Sequence, residues 1–488
     1  MLSDAIAFFK KRDREMSVDE YSIEIERLIR NEQKIRVIPY WYPYYIFNQP
    51  SDHSNDTILN SWKEGHCESE ELSIYIHVPF CKTKCGYCQY YTIIRPEAET
   101  DVYTEYLMKE IKMYSRAVNL SGKTLKSIYF GGGTPNLLSS QNLADIMKTI
   151  KQCFDMTAIE QISLEAFPDF LTDDYINTLK ALGFNRVSMG IQTFDEDALK
   201  YDYKRKVKYI DRYKQIVNSL KEKNIVCCID LLGDLPNQSY VRTRNDISEI
   251  ISLDPDQIAY SYAEYRNAAI RKKINQFPSY TNRRSCYYHA VGKLNSAGYV
   301  QIEDTTFTKP QTPLWYADLR TISSIELAFG PGARGYTKNS SAYVNEEYEQ
   351  WKSKLDGGSF PVKSIKNLDT VDVIMRYVVT SIIWGRFDAD EFKKRFTIDA
   401  DELFHNLFAA LQQSGLMELR VPNGMYYSYR GNKSGDRKIF ELTDMGKHYL
   451  EVVRLLLVDK PYKRRLRLEQ VADQDDEFYK HVCKEILS

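Results

Sequence analysis

The sequence predicts an α/β chain: a partial (β/α)6 barrel of parallel strands, followed by a small helical, winged-helix-like C-terminal domain. Six strand-like runs between residues 73 and 263 alternate with amphipathic stretches of helical period, a beat that implies parallel strands with helices packed outside them. A polar or glycine-rich signal accompanies each run, as expected where a barrel gathers its reacting groups at the C-terminal ends of its strands. From about Thr370 the beat gives way to helices around a hairpin signal.

The strand-like runs are Ile74–Val78, Ser127–Phe130, Gln161–Ala166, Arg186–Gln192, Val226–Leu232 and Gln257–Tyr262. Between them lie the helical stretches Val102–Ala117, Gln141–Cys153, Asp173–Leu182, Tyr209–Lys221 and Tyr240–Ser252. Cys81 follows the first strand, Gly131-Gly-Gly-Thr-Pro135 the second, and Glu165 ends the third. Gly190-Ile-Gln192 ends the fourth, Asp230 lies in the fifth, and Tyr260-Ser-Tyr262 lies in the sixth. The expected organisation is a leader over 1–72, the barrel with an extension over 73–345, the winged-helix-like domain over 346–460, and a charged tail over 461–488. In the leader, the aromatic segment Pro39-Tyr-Trp-Tyr-Pro-Tyr-Tyr45 lies across the barrel mouth or covers a sheet edge. The extension over 264–345 reads as helix and loop. In the C-terminal domain, helices over Asp388–Phe396, Asp401–Gly415 and Asp444–Leu457 flank a hairpin around Pro422-Asn-Gly424, where Asn-Gly is a strong turn signal.

At 488 residues the chain has room for two or three domains, and its net charge of −1 makes nucleic acid a poor default partner. The basic run Lys463-Arg-Arg-Leu-Arg467 reads as a solvated tail, and a wing without a basic recognition helix reads as a lid or packing module. No apolar run reaches membrane-spanning length, and the N-terminus lacks the order of a signal peptide, so no membrane partner is expected. The nine cysteines are odd in number and unevenly placed, which argues against a disulfide framework and for a reducing cytoplasm. Cys153, Cys227, Cys228, Cys286 and Cys483 read as buried or incidental thiols. The 37 tyrosines serve mainly core and surface packing, with some available to line a pocket for a flat ligand.

The chemistry concentrates in His77-Val-Pro-Phe-Cys-Lys-Thr-Lys-Cys-Gly-Tyr-Cys88. Cys81, Cys85 and Cys88 lie within eight residues, close enough for one loop to wrap three thiolates around an inorganic cluster. Three is one short of closing four metal corners, and an open corner is the mark of a catalytic site. The competing readings are a zinc knuckle with His77 or Cys67 as fourth ligand, and ordinary buried thiols. Gly131, Gly132 and Gly133 let backbone groups approach a ligand, and Thr134 adds a hydroxyl. Glu165, Gln192 and Asp230 supply acceptors for a ribose or an ammonium group, although each alone serves equally as a strand-end cap. Phe80 and Tyr87 shield a cluster and stack on adenine, or simply pack the loop.

Taken in order, these residues resemble radical S-adenosylmethionine enzymes, and within them the group of oxygen-independent coproporphyrinogen III oxidase and the haem chaperone derived from it. The resemblance is carried by Tyr75-Ile-His-Val-Pro-Phe-Cys81, the three-cysteine loop, Ile128-Tyr-Phe-Gly-Gly-Gly-Thr-Pro135 and Ile162-Ser-Leu-Glu165. It continues through Asn185-Arg-Val-Ser-Met-Gly-Ile-Gln192, Asp230-Leu-Leu-Gly-Asp-Leu-Pro236 and Leu327-Ala-Phe-Gly-Pro-Gly-Ala333, and spans roughly residues 70 to 460. It implies that Cys81, Cys85 and Cys88 ligate a [4Fe–4S] cluster. It further implies that Tyr75, Gly131–Thr134, Glu165, Gln192 and Asp230 contact S-adenosylmethionine. A second S-adenosylmethionine beside the first would use Gly330–Ala333, in particular Gly332 and Ala333. A flavodoxin or ferredoxin would supply the electron.

This chain departs from the group at three places. Tyr90 stands where the coproporphyrinogen oxidases carry a fourth cysteine. Lys204, followed by Arg205, stands where an arginine anchors the cofactor carboxylate. Gly233-Asp-Leu-Pro236 replaces a Tyr-Gly-Leu-Pro run. The first departure argues against porphyrinogen decarboxylation. The leading expectation is a 5′-deoxyadenosyl-radical enzyme for radical C-methylation, or a related one-carbon transfer such as cyclopropanation, on a small conjugated metabolite. The alternatives are a tetrapyrrole-directed enzyme, by anaerobic haem opening or porphyrinogen oxidation, and a haem chaperone without turnover.

Overall fold

The computed structural model describes residues 2–30, 54–63, 71–88, 90–94, 99–118, 120, 122–199, 210–233, 235–262, 280–302, 305–312, 325–337, 341–383, 385–420, 425–428, 431–434 and 438–458. The chain divides into two compact units, one of residues 47–301 and 305–367, the other of 1–46, 302–304 and 368–488.

The first unit is built on one sheet. β1 (Glu71–Val78), β2 (Thr124–Gly132), β3 (Gln161–Ala166), β4 (Arg186–Gln192), β5 (Val226–Gly233) and β6 (Gln257–Tyr262) lie side by side in that order, every pair parallel. The crossovers are α1 (Glu99–Ala117), α2 (Ser140–Cys153), α3 (Asp173–Ala181), α4 (Ile210–Glu222) and α5 (Tyr240–Leu253). Ile74, Ile76, Ile128, Phe130, Leu164, Val187, Met189, Ile229 and Ile258 are all buried, the near-continuous apolar strand content of a sheet covered on both faces. Helix starts follow local chemistry: Ser139, Thr172 and Ser239 accept backbone N–H bonds at the caps of α2, α3 and α5.

The region expected as helix and loop carries more sheet than its sequence suggests. After α6 (Tyr280–Ser296) come β7 (Val300–Gln301), β8 (Thr306–Thr308), β9 (Ile325–Phe329), β10 (Arg334–Tyr336), β11 (Ala342–Asn345) and, beyond α7 (Tyr348–Asp356), β12 (Val362–Lys366). β9 is a seventh parallel strand, set against the other edge of β1, with Ile74 opposite Leu327. Its sequence Ile-Glu-Leu-Ala-Phe is buried at every position, so burial does not alternate along it and only pairing reveals this strand. The full order is β12-β11-β10-β9-β1-β2-β3-β4-β5-β6-β8-β7, with antiparallel additions at both ends and no pairing between the two edges among the described residues.

In the second unit, helices Leu2–Arg14 and Val18–Arg30, expected as part of a leader, pack on helix Ala400–Gln413. Asp13 accepts the backbone N–H groups of Asn406 and Leu407 at 2.9 and 3.2 Å, and Arg12 donates to the Leu456 carbonyl at 2.7 Å. A three-stranded sheet orders Arg386–Asp388, Ile439–Leu442 and Met417–Arg420, with Phe387, Phe392, Phe408 and Phe440 interlocked beneath it. The expected turn Pro422-Asn-Gly424 lies outside the described residues; Met417–Arg420 pairs with Ile439–Leu442, and Met425–Ser428 with Gly431–Ser434. The expected helix over Asp444–Leu457 is split into Asp444–His448 and Leu450–Val458. The segment Pro39–Tyr45 and the basic run Lys463–Arg467 lie outside the described residues.

Candidate functional site

A cleft of about 370 Å³ opens at the C-terminal ends of the parallel strands. That volume lies within the range of small-molecule and cofactor pockets. One wall is the loop after β1. Its base is closed by a short parallel ladder, Phe80–Cys81 with Ile93–Ile94, and by the Ile93 N–H donating to the Pro79 carbonyl at 2.7 Å. Cys81, Cys85 and Cys88 all line the cleft, and a turn with the Cys88 N–H on the Cys85 carbonyl at 3.2 Å brings the last two together. Thr134 donates its hydroxyl to Cys81 Sγ at 3.4 Å, and the Tyr90 backbone N–H donates to the Cys88 sulfur.

The glycine run sits where β2 crosses behind this loop. Gly133 N–H donates to the Val78 carbonyl at 2.7 Å, and a Cβ on Gly133 would meet the Phe80 carbonyl oxygen at 2.6 Å. Gly132 holds φ of +109°, and a Cβ there would meet the His77 ring at 2.8 Å. These glycines therefore let β2 close on the cysteine loop, as well as baring backbone toward the cleft.

The cleft floor is acidic. Glu165 at the end of β3 accepts the Tyr129 hydroxyl at 2.7 Å and the Gly132 N–H at 3.2 Å. Burial, with the neighbouring Asp230 charge, pushes the Glu165 carboxyl up to about 7 against those hydrogen bonds. Ser188 Oγ lies 3.0 and 3.1 Å from the two oxygens of Asp230 and donates to one of them. Burial raises the Asp230 carboxyl too, against the nearby Arg186 charge. Gln192 lines the cleft with a positive φ of 77°, unusual for a residue with a side chain, at a bulge between β4 and β5. The next turn is held by Asp246 of α5, which accepts the Thr193 hydroxyl at 2.9 Å and the Phe194 N–H at 2.6 Å.

Behind the glycine run stands an aromatic layer. Tyr75 stacks on Tyr129 at 6.1 Å and shares a 3.1 Å hydrogen bond with His77 Nδ1. His77 Nε2 faces the Tyr91 carbonyl at 2.9 Å. A carbonyl only accepts, so Nε2 carries the proton and Nδ1 takes the Tyr75 hydroxyl. Burial depresses His77 to about 4, keeping it neutral with both nitrogens committed. It is therefore not available as the fourth ligand of a zinc knuckle, and Cys67 lies outside the described residues.

Of the residues singled out from sequence, Cys81, Cys85, Cys88, Gly132, Gly133, Thr134, Glu165, Gln192 and Asp230 share one cleft. Tyr75 and Gly131 stand in the layer behind it, a Cβ on Gly131 falling 3.1 Å from the Tyr75 ring. Gly332 and Ala333 are held apart from the cleft lining, the Gly332 N–H on the Glu346 carbonyl at 2.8 Å. Lys204, Arg205 and Asp234 lie outside the described residues. Tyr129 and Ser188 were not anticipated. Each points at an anticipated carboxylate from within its strand, and the two-residue strand period was the signal that could have found them.

The donor set suits an iron–sulfur cluster. Among the described residues no three His, Cys, Asp or Glu side chains converge as ligands of a single ion. A cube gives each thiolate a different iron, so its ligands stand further apart than those of one ion. Residues 75–247 match the Radical SAM superfamily. These residues form a radical SAM domain, of a class that works with a [4Fe–4S] cluster and S-adenosylmethionine.

Within that class the chain is similar to two kinds of haem-related protein. It is 25% identical over 409 residues to the oxygen-independent coproporphyrinogen III oxidase of Synechocystis sp., covering 78% of this chain and 86% of that one. It is 25% identical over 383 residues to the heme chaperone HemW of Bacillus subtilis, covering 75% and 97%. The structure of coproporphyrinogen III oxidase from Escherichia coli superposes with a TM-score of 0.67 at 21% identity, over 84% of this chain and 95% of that one, which establishes the shared fold. These relatives favour the tetrapyrrole alternatives, and the leading expectation of radical C-methylation or cyclopropanation is left without support. No helix among the described residues is long and apolar enough to cross a membrane.

Proposed function

We propose that this chain is a radical SAM enzyme acting on a tetrapyrrole, with haem-ring opening ahead of porphyrinogen decarboxylation because Tyr90 stands in place of the oxidases' fourth cysteine. The observation that carries the reading is one cleft with three cysteines on one wall and two half-buried carboxylates on its floor. In this reading Cys81, Cys85 and Cys88 would hold the [4Fe–4S] cluster, which would supply the electron for reductive cleavage of S-adenosylmethionine and so the radical that activates the substrate.

The rest is positioning. Glu165 and Asp230 accept hydrogen bonds from ammonium or ribose groups, and a bound cation favours their ionised forms. Gly132 and Gly133 bring backbone against the cofactor, with Gln192 turned toward it by its strained φ. Lys204 is the proposed anchor for the cofactor carboxylate. Tyr75, through His77, braces the glycine run from behind.

The test is anaerobic reconstitution with iron and sulfide, then reductant, S-adenosylmethionine and haem. Formation of 5′-deoxyadenosine with loss of the Soret band supports the reading. Cys85→Ala should abolish the brown cluster absorbance and all cleavage; retained cleavage refutes the ligand assignment. Zinc in place of iron and sulfide would sink the radical reading, and S-adenosylhomocysteine would return methylation to first place. The match covering 97% of the heme chaperone favours a second reading, haem binding without turnover. A tight Soret shift on haem titration with no haem consumed would select it.

A further inference from the structure

The cleft segregates its charge. Among the described lining residues the only carboxylates are Glu165 and Asp230, both half-buried on the floor and hydrogen-bonded there. The cations, Lys82 and Lys84, are exposed and flank the opening on the cysteine loop. An acidic floor suits a cationic cofactor, whereas a basic opening suits an anionic substrate entering after it. Lys84 also lies in the field of Cys88, where its charge favours the thiolate. Lys82 has a different setting. Its Nζ lies 4.4 Å from the centroid of the Phe170 ring, and Phe170 packs against Phe167 at 5.4 Å. Both rings are half-buried and line the cleft, on the turn that follows Glu165. Asp169 on the same turn is exposed and does not line the cleft.

A cation held over an aromatic ring beside a second ring offers two contacts at once. The ring pair takes an apolar, conjugated face, and the ammonium reaches a carboxylate carried on that face's rim. We propose that Lys82 receives a carboxylate of the substrate while Phe167 and Phe170 take the edge of its conjugated plane. The enzyme then selects a flat substrate by its acidic side chains. This inference rests on the tetrapyrrole reading and names the groups that would read the substrate.

The test uses reconstituted full-length protein and metal-free protoporphyrin IX, a dicarboxylic acid, beside its dimethyl ester, with binding read by porphyrin fluorescence. Wild type should bind the acid at least about tenfold more tightly than the ester, in line with a charge-assisted contact. Lys82→Ala should remove most of that preference while binding the ester as before. Lys82→Arg should restore the preference, and Phe170→Leu should weaken both ligands. Iron and sulfide content is measured for each variant, and a fall in Lys82→Ala would mean the lysine serves the cluster, overturning the proposal. Equal binding of acid and ester by wild type, or an unchanged preference in Lys82→Ala, overturns it while leaving the tetrapyrrole reading intact. Failure of wild type to bind either form removes both.

Discussion

Gly132 shows how one residue can serve sheet packing and cofactor approach together. Its φ of +109°, and the 2.8 Å that would separate a Cβ at this position from the His77 ring, leave no room for any side chain. Gly132→Ala should therefore cost about 1–3 kcal/mol in urea unfolding, the range for strained backbone at functional sites. It should also loosen the Gly132 N–H contact with Glu165 and weaken S-adenosylmethionine binding by equilibrium dialysis. Unchanged affinity would show that the glycine serves packing alone. The three cysteines and the glycine run were legible in sequence because their spacing is local. The reason for the glycines was not, since it depends on the His77 ring brought across from the adjacent strand.

Between elements, the positions of site residues depend on partners far away in the chain. Asp246 on α5 is buried and lies more than fifty residues beyond the turn it holds after Gln192. Replacing it leaves the Thr193 hydroxyl and the Phe194 N–H without their acceptor, a loss worth about 1–3 kcal/mol for buried groups. Asp246→Ala should raise KM for S-adenosylmethionine more than it lowers kcat, because Gln192 loses its fixed conformation; equal changes in both would point to a different role. The strand and helix beat from β1 to α5 was readable from period alone, with β3, β4 and β6 found at their predicted bounds. β9 was not, because a five-residue run buried at every position, Glu326 included, shows no strand period until a neighbour pairs with it.

At the scale of the first unit, Glu110 of α1 joins segments more than two hundred residues apart. It accepts the Gly330 N–H at 2.8 Å, Asn345 Nδ2 at 2.9 Å and the Trp351 indole N–H at 3.0 Å, all buried. Burial pushes its carboxyl up to about 8 despite these three donors. Between its ordinary pKa near 4.5 and about 8, the folded chain holds a proton that the unfolded chain releases. This group's contribution is thus full below the lower value and is lost as pH rises through the upper one. Glu110→Gln should flatten that dependence. The melting temperature of the variant relative to wild type should rise steadily from pH 5 to pH 8, and a constant difference would contradict the assignment.

The sequence by itself determined the parallel-strand scaffold, the cysteine loop and the class of cofactor chemistry, because period and local spacing survive without tertiary contacts. Only the tertiary structure decided that His77 is a neutral brace, that β9 extends the sheet beyond β1, and that the cleft is acidic below and basic above. Those features arise from residues distant in the chain sharing burial, and burial sets both their packing and their charge.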